Sequence, residues 1–279
     1  MLKREYRLNL ENYFISQFDN VHIGDDGAYI DGMVYSKDAF FEDVHFKKEW
    51  MNYYEIAQKA MLVNISDAIA MNALPKYALL SVAMPKSMTK ADMVALAQGF
   101  KDVTCKYGIE IIGGDTISNT KLDITITIIS HTKKPLLRSG IKQKYFLAYT
   151  GELGRSAQEL KKLFQGGKLH KKSKFKNIKL REKFISKTSR HLKAGMDISD
   201  GLYSDLDKIL KASGVGIELF TPLSKAIGCS GEEYEMLIAF DIRSKKAVLR
   251  HAQATRTPLT IFAQATRNRY INRCKAHHF

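Results

Sequence analysis

From Leu122 to Ile128 the chain reads Leu-Asp-Ile-Thr-Ile-Thr-Ile, an unbroken alternation of apolar and polar residues. Successive side chains of a strand point to opposite faces, so this segment is predicted to be a β-strand with one face buried and the other wet or paired. Helical periodicity precedes it. Residues 53–73 place Ile56, Ala60, Val63 and Ala70 near helical spacing. Residues 89–107 form a second helix that opens on Thr89 as N-cap, with Asp92 three residues on, and stops at Gly108. Between the helices, Tyr77 to Met84 reads as a buried strand ended by Pro85.

The second half repeats the mixture. Tyr145 to Thr150 reads as a strand, and a helix beginning near Ser199 sets Leu202, Leu206, Ile209 and Leu210 on one face before Gly214. Strands follow at Val215–Phe220, Met236–Asp241 and Leu259–Ala263. Strands mixed with helices in both halves predict an α/β or α+β fold. The 279 residues suffice for two domains of ~100–150 each. The turn around Pro135 to Lys144 sets the expected division at 1–138 and 139–279.

No apolar run approaches the ~18–20 residues of a membrane span, and no apolar stretch after Met1-Leu2-Lys3-Arg4-Glu5 marks a secretory signal. Cys105, Cys229 and Cys274 are scattered and odd in number, which fits a reducing compartment, the cytoplasm, better than a disulfide framework. The net charge of +15 raises the question of nucleic acid. Much of the excess lies between Lys161 and Lys193, read as a solvated surface or mobile loop, and a second excess runs from Arg243 to Lys275. Acidic residues gather instead near the N-terminus, at Asp19, Asp25, Asp26, Asp31, Asp38, Glu42 and Asp43. A uniform nucleic-acid binder has no use for that anionic portion.

Five short motifs carry chemistry. In Gly24-Asp25-Asp26-Gly27, adjacent carboxylates call for an offsetting cation, although Asp-Gly is equally a hairpin turn. Ser36-Lys37-Asp38 comes next, followed by Asp43-Val44-His45-Phe46, where His45 taken alone is a packed side chain. Asn64-Ile65-Ser66-Asp67 and Asp197-Ile198-Ser199-Asp200 are similar phrases, one in each half, as if both halves offered an aspartate to one site. Gly113-Gly114-Asp115-Thr116 follows the strand Glu110-Ile111-Ile112, so Asp115 is expected at a strand end where the backbone passes close to something. Asp197 and Asp200 stand at a helix start whose amides suit phosphate. Arg138 either clamps a phosphate or is a surface arginine.

Many aspartates with no paired cysteines fit Mg²⁺, which takes a few carboxylates and completes its shell with water and phosphate. The chain has no GxxxxGK[ST] loop, no protein-kinase signature and no Ser-His-Asp or Cys-His arrangement.

Taken in order, GDDGA, SKDAFFEDVHF, NISDAIAMNALP, IIGGDT, LLRSG, TGELGRSA, MDISDGLYSDL and SGEEYEML resemble the bacterial thiamine-monophosphate kinases. Those enzymes belong to the superfamily of aminoimidazole ribonucleotide synthetase and selenophosphate synthetase. The resemblance spans roughly residues 15–160 and 194–240. It implies a two-domain PurM-like architecture: an N-terminal ATP- and metal-binding domain whose strands build a barrel in a homodimer, and a C-terminal α/β domain. It implies transfer of the γ-phosphoryl of ATP onto thiamine monophosphate, with Mg²⁺ as cofactor. By motif position, the implied metal set is Asp26, Ser36, Lys37, Asp38, Asp67, Asp115, Asp197 and Asp200. Gly114, Asp115, Arg138, Ser199 and Tyr107 fall at nucleotide positions, and His45 and Glu232 at the thiamine substrate. Arg138, with metal-bound Asp115 and Asp200, is the implied charge stabiliser, and no general base is expected.

The sequence departs from the family at several points. Lys37 stands where threonine is common, and Glu233 replaces an aspartate on the substrate side. Lys187 to His191 replaces a proline-rich stretch, and Ala276 stands where an aromatic often packs before the terminal His278-Phe279. Two other readings remain at this stage: an ATP-dependent enzyme of the superfamily with another acceptor, and a basic nucleic-acid-binding protein.

Overall fold

The structure, a computed structural model, describes residues 10–18, 20–272 and 274. Asp19, Ala276 and the terminal His278-Phe279 lie outside the described residues. In chain order the elements are α1 (Leu10–Ile15), β1 (Ala28–Ile30), β2 (Met33–Phe41), α2 (Tyr53–Ala70), β3 (Leu74–Pro85), α3 (Lys90–Tyr107), β4 (Glu110–Asn119) and β5 (Asp123–His131). The second half contributes β6 (Phe146–Thr150), α4 (Arg155–Phe164), α5 (Glu182–Thr188), β7 (Leu192–Ile198), α6 (Leu202–Ser213), β8 (Gly216–Leu219), α7 (Lys225–Gly228), β9 (Glu235–Phe240), α8 (Lys245–Ala254) and β10 (Leu259–Thr266). Among the described residues no helix is long and apolar enough to cross a membrane.

The first half is one sheet, ordered β1-β2-β5-β3-β4. All its pairs are antiparallel except β3 with β4, which α3 connects as a crossover. The alternation in β5 does what the sequence requires: Ile124, Ile126 and Ile128 are fully buried while Asp123, Thr125 and Thr127 face the other way. The buried face receives α2, which carries a capping box from Asn52 and Glu55 and is apolar almost all round. Outside it lies α3, capped reciprocally by Thr89 and Asp92 and ended by Gly108 in the left-handed conformation. Among the described residues nothing covers the opposite face of the sheet, where Tyr35 is 40% and Ile117 57% exposed.

The second sheet, β7-β9-β6-β10-β8, is antiparallel throughout. It is covered on both sides: α6 lays Leu202, Leu206 and Ile209 on one, and Phe184 of α5 and Val248 of α8 pack on the other. The whole is mixed α/β with two sheets.

Several sequence expectations are corrected here. The strand predicted at Tyr77–Met84 is not buried, because its outward row, including Tyr77 and Leu79, belongs to the bare face. The strand Glu110–Ile112 does not end at the glycines but runs on through them to Asn119, so Asp115 sits mid-strand. A Cβ on Gly114 would lie 1.6 Å from Leu80 O, and this contact with β3 is the close approach that demands glycine. The lysine-rich segment is no mobile loop: Phe175, Ile178 and Leu180 are buried in the core. Cys229 and Cys274 form a disulfide across 45 residues, a pairing created by the fold that no local spacing announces.

Candidate active site

The loop before β1 wraps around Arg138, which follows β5. Arg138 Nε donates to Asp26 Oδ1 at 3.0 Å, its Nη1 reaches Gly24 O at 3.3 Å, and its backbone N–H donates to Asp25 Oδ1 at 2.6 Å. The cation that offsets the adjacent carboxylates is therefore a guanidinium of the chain itself. Asp26 Oδ2 also accepts the backbone N–H of Asp197, at 3.3 Å, and so bridges to the second sheet.

The two similar phrases meet here. Ser66, on the buried helix α2, donates from Oγ to Asp197 Oδ2 at 2.7 Å. Asn64, half a turn before it, accepts the Asp38 N–H at 2.8 Å while its own amide donates to Ala60 O. Helical spacing thus lets one segment of α2 hold β2 with Asn64 and β7 with Ser66. Asp200, at the end of the second phrase, pairs with Lys208 Nζ at 2.6 Å, and Lys208 also reaches Asp205 at 2.9 Å.

Burial and mutual repulsion act on this group together. Burial pushes the Asp38 carboxyl up to about 6, with Asp26, Glu232 and Asp200 adding to the rise. Asp67 stands well above the carboxylate range through burial and then the charges of Asp38, Asp197 and Asp26. Asp197 is raised well above it by burial and then by Asp26, with the Ser66 hydrogen bond opposing. Asp26 is also raised by burial, although Arg138 offsets part of the effect. The nearby cations, Arg138 and Lys208, leave the cluster short of positive charge.

These residues fit a hard cation. Ser36 Oγ is buried beside Asp38 on β2 and has no hydrogen-bond partner among the described residues. Among the described residues no three acidic, histidine or cysteine side chains already converge on one ion. The donor chemistry, carboxylates with a hydroxyl, is of the kind Mg²⁺ takes, with water and phosphate completing its shell. Strand alternation turns the Lys37 side chain to the other face, 3.5 Å from Thr125 Oγ1, so its ammonium does not crowd the cluster.

The remaining sequence candidates divide. Ser199 O accepts the Glu232 N–H at 2.7 Å, and Glu232 forms a 2.8 Å ion pair with Lys59. His45 accepts the Phe41 N–H on Nδ1 at 3.0 Å and stacks on Phe40. Asp115 is not brought to the buried group within one chain: it is exposed, level with Ser81 and Thr125 in the outward row, and accepts the Thr116 N–H. Gly114 is its neighbour on the same edge strand, and Tyr107 is half-buried at the end of α3 with Glu182 as its charged neighbour.

Glu233 is a further correction. Expected on the substrate side, it instead turns to the start of α4, taking the N–H of Gly154 at 2.7 Å and the ammonium of Lys174 at 2.5 Å. Sequence reasoning missed Lys59, Lys208 and Asp205 as site residues. For Asp205 and Lys59 the signal was available: Asp205 falls three residues after Leu202 and four before Ile209, and Lys59 three after Ile56 and four before Val63, each a charge on the buried face of its helix. For Lys208 there was none.

Residues 24–131 match the family model described as AIR synthase related protein, N-terminal domain. The thiamine-monophosphate kinase of Bacillus subtilis is 35% identical over 217 residues, 72% of this chain and 67% of that protein. Its counterpart in Leptospira interrogans is 30% identical over 80% of each chain. The chain belongs to the thiamine-monophosphate kinase family. The fold agrees: the complex of AaThiL with AMPPCP and TMP superposes with a TM-score of 0.83 at 23% identity, covering 97% of this chain and 94% of that one. The Escherichia coli hydrogenase maturation protein HypE shares the architecture more distantly, at a TM-score of 0.71 and 17% identity over 93% of this chain and 91% of that one.

Proposed function

We propose that this enzyme transfers the γ-phosphoryl group of ATP directly to the phosphate of thiamine monophosphate, giving thiamine diphosphate and ADP. The observation that carries the reading is the gathering of Asp26, Asp38 and Asp67 from the first half with Asp197 and the partly exposed Asp200 from the second, short of positive charge near Arg138 and Lys208. Relatives named thiamine-monophosphate kinase, and a structural neighbour bound to AMPPCP and TMP, support the choice of donor and acceptor.

The acceptor is already an oxyanion, so no base is needed to deprotonate it. The barrier is repulsion between two polyanions, and catalysis is positioning plus charge stabilisation in an in-line transfer. Mg²⁺, when bound, would supply positive charge to offset that of the phosphates. Asp26, Asp38, Asp67, Asp197 and Asp200, with Ser36 and the Lys37 backbone, would hold the ions, and Asp115 would join them from the edge strand of a second copy. Arg138 stabilises the transferring group; Gly114, Ser199 and Tyr107 serve the nucleotide, and His45 and Glu232 the acceptor.

The division at residues 138 and 139 follows the two sheets. The bare sheet face and the exposed edge strand β4 favour a homodimer in which a second copy covers the row carrying Asp115. ATP chemistry favours the cytoplasm, where Cys229 and Cys274 would meet a reducing pool. Nucleic acid has no role in this reading, since Lys174, Lys176 and Arg181 of the basic segment are spent on internal ion pairs. The test is the fate of label from γ-labelled ATP. It should appear in thiamine diphosphate in one step; label reaching only inorganic phosphate refutes the reading.

A further inference from the structure

Lys59 lies on α2 among Ile56, Ala60 and Val63 with none of its surface exposed. A buried ammonium is costly unless paired, and a buried ion pair is seldom more stable than an apolar replacement. Its presence therefore asks for a reason other than stability. Lys59 Nζ is 2.8 Å from Glu232 Oε2, 3.2 Å from the centre of the Phe175 ring and 5.9 Å from that of Phe40.

Glu232 is held at two further points. Tyr234 donates its hydroxyl to Oε1 at 3.0 Å, and the Glu232 N–H donates to Ser199 O at 2.7 Å. Glu232 and Tyr234 both take left-handed backbone angles, with φ of 60° and 49°, a strained conformation for non-glycine residues. Such strain persists only where the surroundings over-determine it. The Glu232 side chain keeps 24% of its surface open, so it is held rather than enclosed. Burial would raise its carboxyl, but the charge and hydrogen bond of Lys59, and then Tyr234, hold it below its ordinary value.

Phe175 roofs this pair. It is 1% exposed and comes from the lysine-rich segment, which is pinned on either side of it. Lys174 binds Glu233 just before β9, and Lys176 reaches Glu55 at the start of α2, at 2.9 Å. The basic segment thus spans both halves of the molecule and shuts water away from the Lys59 ammonium, which strengthens its hold on Glu232.

We propose that Lys59, roofed by Phe175, is a positioning residue for the phosphoryl acceptor: it locks the Glu232 carboxylate in the orientation that presents negative charge to a cationic ring. The inference rests on the functional reading above, since it needs an acceptor with such a ring, as thiamine monophosphate has in its thiazolium. It assigns acceptor selection to a lysine whose ammonium lies against Glu232 and Phe175.

The experiment compares wild type, Lys59→Met, Glu232→Gln and the double variant in steady-state phosphoryl transfer. Acceptors are thiamine monophosphate and an analogue with an uncharged ring. Loss of one charge-assisted contact should raise the KM for thiamine monophosphate about 10–100-fold in Lys59→Met, with the KM for ATP and the saturated kcat within about twofold. Preference for the charged ring should fall alike in Lys59→Met and Glu232→Gln, and no further in the double variant. If Lys59→Met does not fold, Phe175→Leu, which wets the ammonium without removing it, is read by the same ratio. Wild-type discrimination in the folded Lys59 or Phe175 variant, or equal losses toward ATP and acceptor, overturns the inference alone. A wild-type enzyme inert toward thiamine monophosphate overturns the functional reading and this inference with it.

Discussion

Ser66 donates a 2.7 Å hydrogen bond to Asp197, and through it the aspartate phrases of the two halves become one site. The Oγ that makes this bond is fully buried on α2, and the carboxylate that accepts it lies at the end of β7.

Ser66→Ala removes the donor and leaves a buried carboxylate oxygen unpartnered, at a cost of about 1–3 kcal/mol. Urea denaturation should show that loss in the metal-free protein. The same variant should bind Mg²⁺ about tenfold more weakly, since partners of this kind fix a metal-binding carboxylate. Unchanged stability and affinity would show that the two phrases are not coupled.

Arg138→Lys keeps the charge but cannot span Asp26 Oδ1 and Gly24 O at once. A fall in kcat of about 10²–10³ is expected, the scale seen when a preorganised donor is removed. Steady-state rates at saturating ATP check it, and a lysine variant of wild-type kcat would place Arg138 outside the chemistry.

The raised Asp38 carboxyl makes a statement about pH. With its value moved from 3.8 to about 6, the folded metal-free chain holds a proton there that the unfolded chain has already lost. Stability from this group is therefore full below about pH 4 and is lost as pH rises through about 6, a change of order 2–3 kcal/mol. Asp38→Asn should match wild type in stability at pH 4 and exceed it at pH 7.5 without metal. Added Mg²⁺ should close the gap at pH 7.5 by stabilising wild type alone. Melting curves at the two pH values, with and without Mg²⁺, decide the matter; a gap that shrinks with rising pH contradicts the account.

How much of this was legible in the sequence depends on range. Local signals were reliable: Thr89 with Asp92, Gly108 and Gly214 mark helix ends, and the Leu122–Ile128 alternation marks β5. The motif order exposed the aspartates. What stayed hidden was pairing at long range. Nothing near Glu233 in the sequence says that it will bind Lys174 rather than substrate, and nothing near Cys229 points to Cys274. The lysine-rich segment misled for a physical reason: charge composition reports solvation only when the charges lack buried partners. Arg181 finds one in Glu235, with two contacts of 2.7 Å.

That last pair yields a prediction for the segment. Arg181→Met removes both guanidinium contacts from the Glu235 carboxylate, leaving it Thr150 Oγ1 at 2.7 Å and Lys174 Nζ at 3.6 Å, and should cost at most about 3 kcal/mol. It should also open residues 165–181 to trypsin, whereas the wild-type segment resists. Equal cleavage rates would mean that the Glu235 anchor does not hold the segment in place.

The most direct test of the central claim is the initial rate of thiamine diphosphate formation from ATP and thiamine monophosphate as Mg²⁺ is titrated, for wild type and Asp197→Asn. Wild type should depend absolutely on Mg²⁺ and be silenced by chelation, and Asp197→Asn should lose about 10²-fold or more in kcat. Turnover that survives chelation, or an Asp197→Asn enzyme with the wild-type Mg²⁺ response, would contradict a phosphoryl-transfer site built from both halves.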